Sequence, residues 1–343
     1  MKLIACRNAR PNFGDDLNGV LWPALAPELF DQDRSEGFLG IGTIVGMPTP
    51  GIGFLHVFSS GVGYDRLDGW KTPRRLWCVR GPLSARALGA EPNLALTDGA
   101  VLVPRLLAKE PPATGGGETV VVPHWESLDV PGWPEACALA GLELLSPAHA
   151  DPLAVCRRLS RARLVLTESL HGAIVADAFG VPWVPLATSG NFSAFKWTDW
   201  CASVGVALDP LVVPPPSAEA WVRFGRPRLG DLGRRVRVDA DQAWREYEAR
   251  ADAPAQGRSL RSRVKAAALK SGLVRRTLGL SPARTAEALR RAAEAAPCLS
   301  DAARRAALAG EMLARLSALR AERAPSRRPA VVGGRATSGA QAG

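Results

Sequence analysis

The chain has 343 residues, 47% hydrophobic and 22% charged, a globular balance with length for more than one domain and no apolar run long enough to span a membrane. The opening MKLIACRNARPNFGDD has too few apolar residues for a secretory signal and the six cysteines form no C-x-x-C pair, so a soluble, cytoplasmic protein with reduced thiols is expected. The net charge of +10 suggests an anionic partner, but residues 1–215 hold 17 basic against 21 acidic side chains, so the whole excess lies in residues 216–343.

Short apolar runs alternate with helical stretches through the first two thirds, the pattern of an α/β fold with parallel strands. Residues 2–6 predict a strand, followed by the turn Asn12-Phe13-Gly14-Asp15-Asp16, whose aspartates suit the cap of a helix beginning near Leu17. Strands are predicted over 37–45, 54–59 and 75–80, and a helix over 82–88 with Pro82 at its start. The glycine- and proline-rich stretch at 111–117 reads as a flexible linker, which bounds an N-terminal Rossmann-like domain at 1–115.

The alternation then resumes across 116–215, a second Rossmann-like domain facing the first over a cleft. Strands are predicted at 119–123, 142–145, 163–167 and 183–186. Helices are expected over 134–141, from Asp151-Pro152 with Leu153, Cys156 and Leu159 on one face, and over 171–179 with a stop at Gly180. From Pro214-Pro215-Pro216 the chain turns basic and helix-forming, so 216–323 reads as a basic α-helical extension with an apolar stripe at Leu308, Met312, Leu316 and Leu319. Residues 324–343 read as a disordered tail.

The strongest chemical constellation is Thr167-Glu168-Ser169-Leu170-His171-Gly172-Ala173 at the end of the most apolar strand. Ligands of open α/β sheets bind beyond the carboxyl ends of strands, where a helix N-terminus offers N–H groups to an anion. Against this stands a plain capping role for His171 with a solvated Glu168. The four histidines do not pair at metal-ligand spacing, and no metal or cofactor is expected.

These residues, together with Asn12–Asn18, Val79-Arg80-Gly81-Pro82-Leu83-Ser84, Thr97-Asp98-Gly99-Ala100 and Pro123-His124-Trp125-Glu126-Ser127, occur in an order that resembles the polysaccharide pyruvyltransferase family, in particular its succinoglycan-type, ketal-forming members. The resemblance covers about residues 1–210. It implies a glycosyltransferase-B-like (GT-B-like) pair of Rossmann domains that transfers pyruvate from phosphoenolpyruvate to a hexose of an exopolysaccharide or its lipid-linked repeat unit, with phosphate release.

The resemblance implies a donor site of Arg80, His171 and Lys196, with Gly172 at the helix start. Such a donor carries a phosphate and a carboxylate, which suit an arginine's planar fork. Ketal formation needs an acid for the methylene carbon and bases for the hydroxyls, so His171 is the candidate acid and Asp15, Asp98 and Glu168 are candidate bases, left unranked. Ser60 and Gly61 read as a wall of the cleft, and His124, Trp125 and Trp197 as a sugar platform, with inter-domain packing an equal reading for Trp197. The partners expected are a sugar acceptor in lipid-linked form and, through 216–323, the inner face of the cell membrane. A nucleotide-sugar glycosyltransferase of similar shape is the alternative. A nucleic-acid binder fits less well, because the basic segment lacks interleaved aromatics.

Overall fold

The computed structural model describes residues 1–6, 9–63, 67–108, 117–251 and 280–323. The expected linker at 111–117, apart from Gly117, and the expected disordered tail at 324–343 lie outside the described residues. Gly117 is closely packed, since a Cβ there would come 1.8 Å from the Arg161 carbonyl oxygen.

The α/β class holds, with every strand pair parallel. The first sheet is built in chain order from β1 (Lys2–Ile4), β2 (Glu36–Leu39), β3 (Phe54–Phe58) and β4 (Arg74–Cys78). The second sheet contains β5 (Thr119–Val122), β6 (Glu143–Leu144), β7 (Leu164–Thr167), β8 (Trp183–Ala187) and β9 (Leu211–Val212), in the order β6-β5-β7-β8-β9. Both β5 and β7 are buried along their whole length, which is why they read as unbroken apolar runs rather than alternating ones. The larger hydrophobic core runs from Phe38 and Val57 in the first sheet to Val120 and Val165 in the second, and a smaller one gathers Val121, Leu166 and Val184 of the second sheet.

Helices α1 (Phe13–Leu25), α2 (Pro82–Ala87) and α3 (Pro104–Leu107) belong to the first half. The second half contributes α4 (Trp133–Ala140), α5 (Pro152–Ser160), α6 (Leu170–Ala178) and α7 (Ala194–Val204). Phe13, Leu17 and Leu21 recur at four-residue spacing on the buried face of α1. The strand expected over 37–45 ends at Leu39 because the Asn18 side chain takes over the backbone of Ile41 and Gly42 turns away at φ 113°.

The basic extension is not appended to this unit but woven into it. Among the described residues its helices are α8 (Ala218–Phe224), α9 (Ala240–Ala251), α10 (Pro282–Glu294) and α11 (Ala302–Arg323). Leu289 of α10 packs with Trp133 and Cys137 of α4. Cys298 and Trp183 exchange backbone hydrogen bonds at 3.0 and 2.7 Å, an isolated antiparallel bridge that ties the extension to the start of β8. Buried Asp177 of α6 accepts from Ser300 N at 2.8 Å and Ser300 Oγ at 2.5 Å. Helix α11 then returns to the first sheet: Met312, Leu316 and Leu319 enter the core, and Arg315 donates to the Trp77 and Asn93 carbonyls at 2.8 and 2.9 Å. Arg320 and Arg323 pair with Glu28 and Glu36. Among the described residues no helix is long and apolar enough to cross a membrane.

Candidate active site

Parallel strands send all their C-terminal ends one way, and the segments leaving the two sheets meet. Phe13 N donates to Pro147 O at 2.9 Å, Arg80 Nε to Asp199 Oδ2 at 3.0 Å, and Gly63 lies against the stem of Lys196. In the second sheet the chain moves first to one side of β5 and then to the other, so the crevice between β5 and β7 is the switch point where such sheets bind ligands. His124 follows β5 and the segment Glu168–His171 follows β7, which places both at that crevice.

The Asn12–Asn18 motif divides its labour residue by residue. Asp16 Oδ2 accepts from Asn12 N at 2.9 Å and closes the start of α1, while Asp15 Oδ2 accepts from Asn12 Nδ2 at 2.8 Å and its Oδ1 lies beside Gly42. Of the two aspartates, Asp16 is the one that caps. Gly14 makes room for His171, whose Nδ1 would stand 2.0 Å from a Cβ at position 14. Asn18 is fully engaged: Oδ1 accepts from Ile41 N and Trp22 Nε1 at 2.8 and 3.0 Å, and Nδ2 donates to Ile41 O and Asp15 O at 2.9 and 3.0 Å.

His171 and Asp98 form the centre. His171 is the second residue of α6, whose cap Ser169 accepts from Gly172 N at 3.3 Å. Asp98 caps the short turn at Gly99–Leu102, its Oδ1 accepting from Ala100 N at 2.9 Å. Its other oxygen, Oδ2, stands 3.9 Å from His171 Nε2, and both atoms are buried without a hydrogen-bond partner among the described residues. Burial pushes Asp98 up to about 6, opposed by the Ala100 N–H and Arg80 and aided by the carboxylates of Asp15 and Asp199. Burial, then the cations Arg80 and Lys196, push His171 down to about 3. His171 is therefore neutral in the unliganded protein at neutral pH, whereas the acid role expected for it requires the charged form. Both shifts have burial as their first cause, and each favours the neutral form of its group.

Arg80 follows β4 and is 1% exposed. Besides Asp199 it donates from Nη1 to Thr43 Oγ1 at 2.7 Å and from Nη2 to Val62 O at 2.9 Å, so three of its five N–H donors are engaged within the described residues. Gly61 packs against that guanidinium, 2.2 Å from Cζ for a Cβ placed there, so its part is to admit Arg80. Ser60 Oγ donates to Gly42 O at 3.1 Å and joins the two loops of the first sheet. Ser59 has φ 74°, a left-handed conformation for a non-glycine residue, and its buried Oγ has no partner among the described residues.

Several candidate residues are engaged with neighbours in the fold. Glu168, a candidate base, is buried with both oxygens occupied: Oε2 accepts from His124 N at 3.0 Å and Ser127 Oγ at 2.8 Å, and Oε1 from Thr188 Oγ1. It ties the segments that follow β5, β7 and β8 together. The Gly172 N–H is taken by Ser169, and the residue is glycine because a Cβ would come 2.5 Å from Thr167 Oγ1. Trp197 is buried against Trp183 and stacked on Phe192 at 5.3 Å, so it is core and not a sugar platform.

His124 and Trp125 remain at the rim, both half-buried, with their rings 6.1 Å apart. Burial and Lys196 push His124 down to about 3. The Arg10 guanidinium lies 5.6 Å from the Trp125 ring and pairs with Asp129, which Arg223 also reaches at 2.6 Å. Among the described residues no three His, Cys, Asp or Glu side chains gather as metal ligands.

The sequence assigns no individual role to Asn18, Thr43, Ser59 or Asp199, although Asn18 belongs to the Asn12–Asn18 motif. Asn18 had a signal, a polar residue on the apolar face of α1, and Asp199 had one in its place between two tryptophans of a buried helix. The torsion of Ser59 leaves no mark in Ser59-Ser60-Gly61.

The sequence model of the polysaccharide pyruvyl transferase domain matches residues 78–190, a span that contains Arg80, Asp98, His124, Glu168 and His171. The chain is also 35% identical over 268 residues to the succinoglycan biosynthesis protein ExoV of Rhizobium meliloti, an alignment covering 73% of this chain and 83% of that protein.

Proposed function

The chain belongs to the polysaccharide pyruvyl transferase family and is a polysaccharide pyruvyltransferase, and from that premise we propose that it moves pyruvate from phosphoenolpyruvate to a hexose of an exopolysaccharide repeat unit, carried on lipid, as a cyclic ketal. The two parallel sheets then correspond to two Rossmann-like halves in a GT-B-like arrangement, with the donor between them. The observation that carries this reading is the Asp98–His171 pair, two buried atoms 3.9 Å apart without a hydrogen-bond partner among the described residues, beside the cations Arg80 and Lys196.

The chemistry follows from the charges. Arg80 and Lys196 hold the donor's phosphate and carboxylate, and those anions offset the two cations that add to burial in keeping His171 neutral, while favouring its charged form themselves. His171 can then carry a proton and deliver it to the methylene carbon, leaving C2 electron-poor. One acceptor hydroxyl attacks C2 as Asp98 takes its proton, the C2–O bond to phosphate breaks, and the second hydroxyl closes the ring. Of the two hydroxyl protons, one replaces that given to the methylene carbon and the other leaves on hydrogen phosphate. Half-buried Trp125 and His124 at the rim offer an apolar face to the sugar ring.

The test is donor-dependent product release. Purified protein with phosphoenolpyruvate and candidate acceptors should release phosphate only when acceptor is present. Nucleotide release from a nucleotide sugar, with no phosphate from phosphoenolpyruvate, would replace this reading by the glycosyltransferase one. His171→Ala, Arg80→Ala and Lys196→Ala should each lose most turnover while staying folded. The lipid-linked acceptor places the enzyme at the inner membrane face, with residues 216–343 and their 26 basic against 12 acidic side chains as the contact. Full-length protein should float with anionic vesicles at low salt, and absence from the floating fraction would remove that contact.

A further inference from the structure

Asp199 lies on α7, three residues beyond Lys196, and is 0% exposed. Its carboxylate is occupied entirely from the other half of the molecule: Oδ1 accepts from Ser84 N at 2.9 Å, and Oδ2 from Ser84 Oγ at 2.5 Å and Arg80 Nε at 3.0 Å. The two halves touch closely there, since a Cβ on Gly81 would come 2.0 Å from the Asp199 carbonyl oxygen. Ser84 Oγ in turn accepts from Val62 N at 3.0 Å, and Val62 O accepts from Arg80 Nη2 at 2.9 Å. One carboxylate of the second half thus orients the Arg80 guanidinium and the 60–63 loop of the first. The stem of Lys196 runs against that loop, with Cγ 2.9 Å from an ideal Cβ on Gly63.

A buried ion pair gives little net stability over an apolar replacement of the same shape, so stability alone does not account for this one. What it does supply is direction: a planar guanidinium gripped through Nε has its two Nη groups fixed in space. We propose that Asp199 is the positioning residue of the donor site, fixing Arg80 and Lys196, one from each half, at the separation that the donor's phosphate and carboxylate require. The proposal rests on the donor-site reading of Arg80 and Lys196 given above.

The test uses the full-length enzyme with Asp199→Asn, which keeps the size but removes the charge paired with Arg80 and sets an amide N–H against either Ser84 N or Arg80 Nε. Ser84→Ala is the gentler companion, removing one of the three donors to Asp199 should the first variant fold poorly. The control is Leu289→Ala, a change in the separate core cluster around Trp133 and Cys137 whose thermal destabilisation can be matched to theirs. Asp199→Asn should raise the donor KM by about tenfold or more with the acceptor KM unchanged, because small misplacements of binding groups are costly. Ser84→Ala should move the same way by less, and Leu289→Ala should not move the donor KM. Peptide mapping after phenylglyoxal treatment should find Arg80 protected in the wild type and modified in Asp199→Asn.

A donor KM within twofold of wild type in both variants, an equal rise in Leu289→Ala, or an Arg80 that stays protected would each overturn the proposal. Wild-type enzyme that releases no phosphate from phosphoenolpyruvate would sink the donor reading instead. Arginine labelling, and the KM for whichever donor is used, would still decide Asp199.

Discussion

A methyl group on Gly14 would lie 2.0 Å from His171 Nδ1, so Gly14→Ala must push either α1 or the imidazole. Helix propensity alone favours alanine by up to about 1 kcal/mol. The expected result is a protein that folds as well as wild type and turns over about 100-fold more slowly, read from kcat beside a thermal melt. Asp98 makes the opposite kind of statement. Burial raises it from 3.8 to about 6, so keeping it ionised in the folded chain costs about 3 kcal/mol. A carboxyl raised on folding favours the fold at low pH, and that favour is lost as pH rises through about 6. Asp98→Asn should therefore be more stable than wild type at pH 7.5, an advantage that vanishes below about pH 4, with activity down by roughly 10²–10⁴. Urea unfolding at the two pH values checks the sign. His171, pushed down to about 3, destabilises the fold as pH falls below 6.5, and it does so in both proteins.

At the scale of elements, the strand-end placement of Arg80 and His171 was legible because parallel strands are apolar throughout and the polar residues that follow them stand out. Glu168 was legible as a polar residue at a strand end, but its partners were not. A carboxylate after a strand looks the same in sequence whether it faces solvent or, as here, accepts from three donors on neighbouring strand ends. Helix α11 was legible as an amphipathic helix from its four-residue stripe, but what the stripe covers was not. Its destination, the first sheet, lies more than 200 residues back along the chain, as the hydrogen bonds from Arg315 to Trp77 and Asn93 make plain. Leu316→Ala on that stripe should cost about 3 kcal/mol of stability while leaving kcat per folded molecule unchanged, a result obtained from urea unfolding and active-site titration.

For the whole molecule, the continuous core decides how the halves behave. Two independent domains would each close a core of their own, whereas here Phe38 and Val165 belong to one cluster and α11 adds Met312 and Leu319 to it. Scanning calorimetry should give a single unfolding transition, and two resolved ones would mean that the halves separate before either melts. The charge excess also changes character at this scale. Several arginines of the C-terminal helices are not displayed as a patch: Arg304 donates to Ser203 O, Arg315 to two carbonyls, and Arg320 and Arg323 pair with glutamates of the first half. Exposed pairs of this kind contribute at most about 1 kcal/mol each, so their effect is to place the helix more than to stabilise it.

The sequence by itself determined the α/β class, the parallel strands and the polar clusters at their ends, because apolar runs and periodicity act over a few residues. It also marked Asp98, Arg80 and His171 as worth attention. Only the tertiary structure decided which of these meet. The 3.9 Å between Asp98 and His171, the grip of Asp199 on Arg80 and the space that Gly14 leaves are contacts between segments 73 to 157 residues apart, and no local pattern encodes a distance between such segments. Burial, likewise a property of the assembled chain, gave the two central groups their shifted protonation.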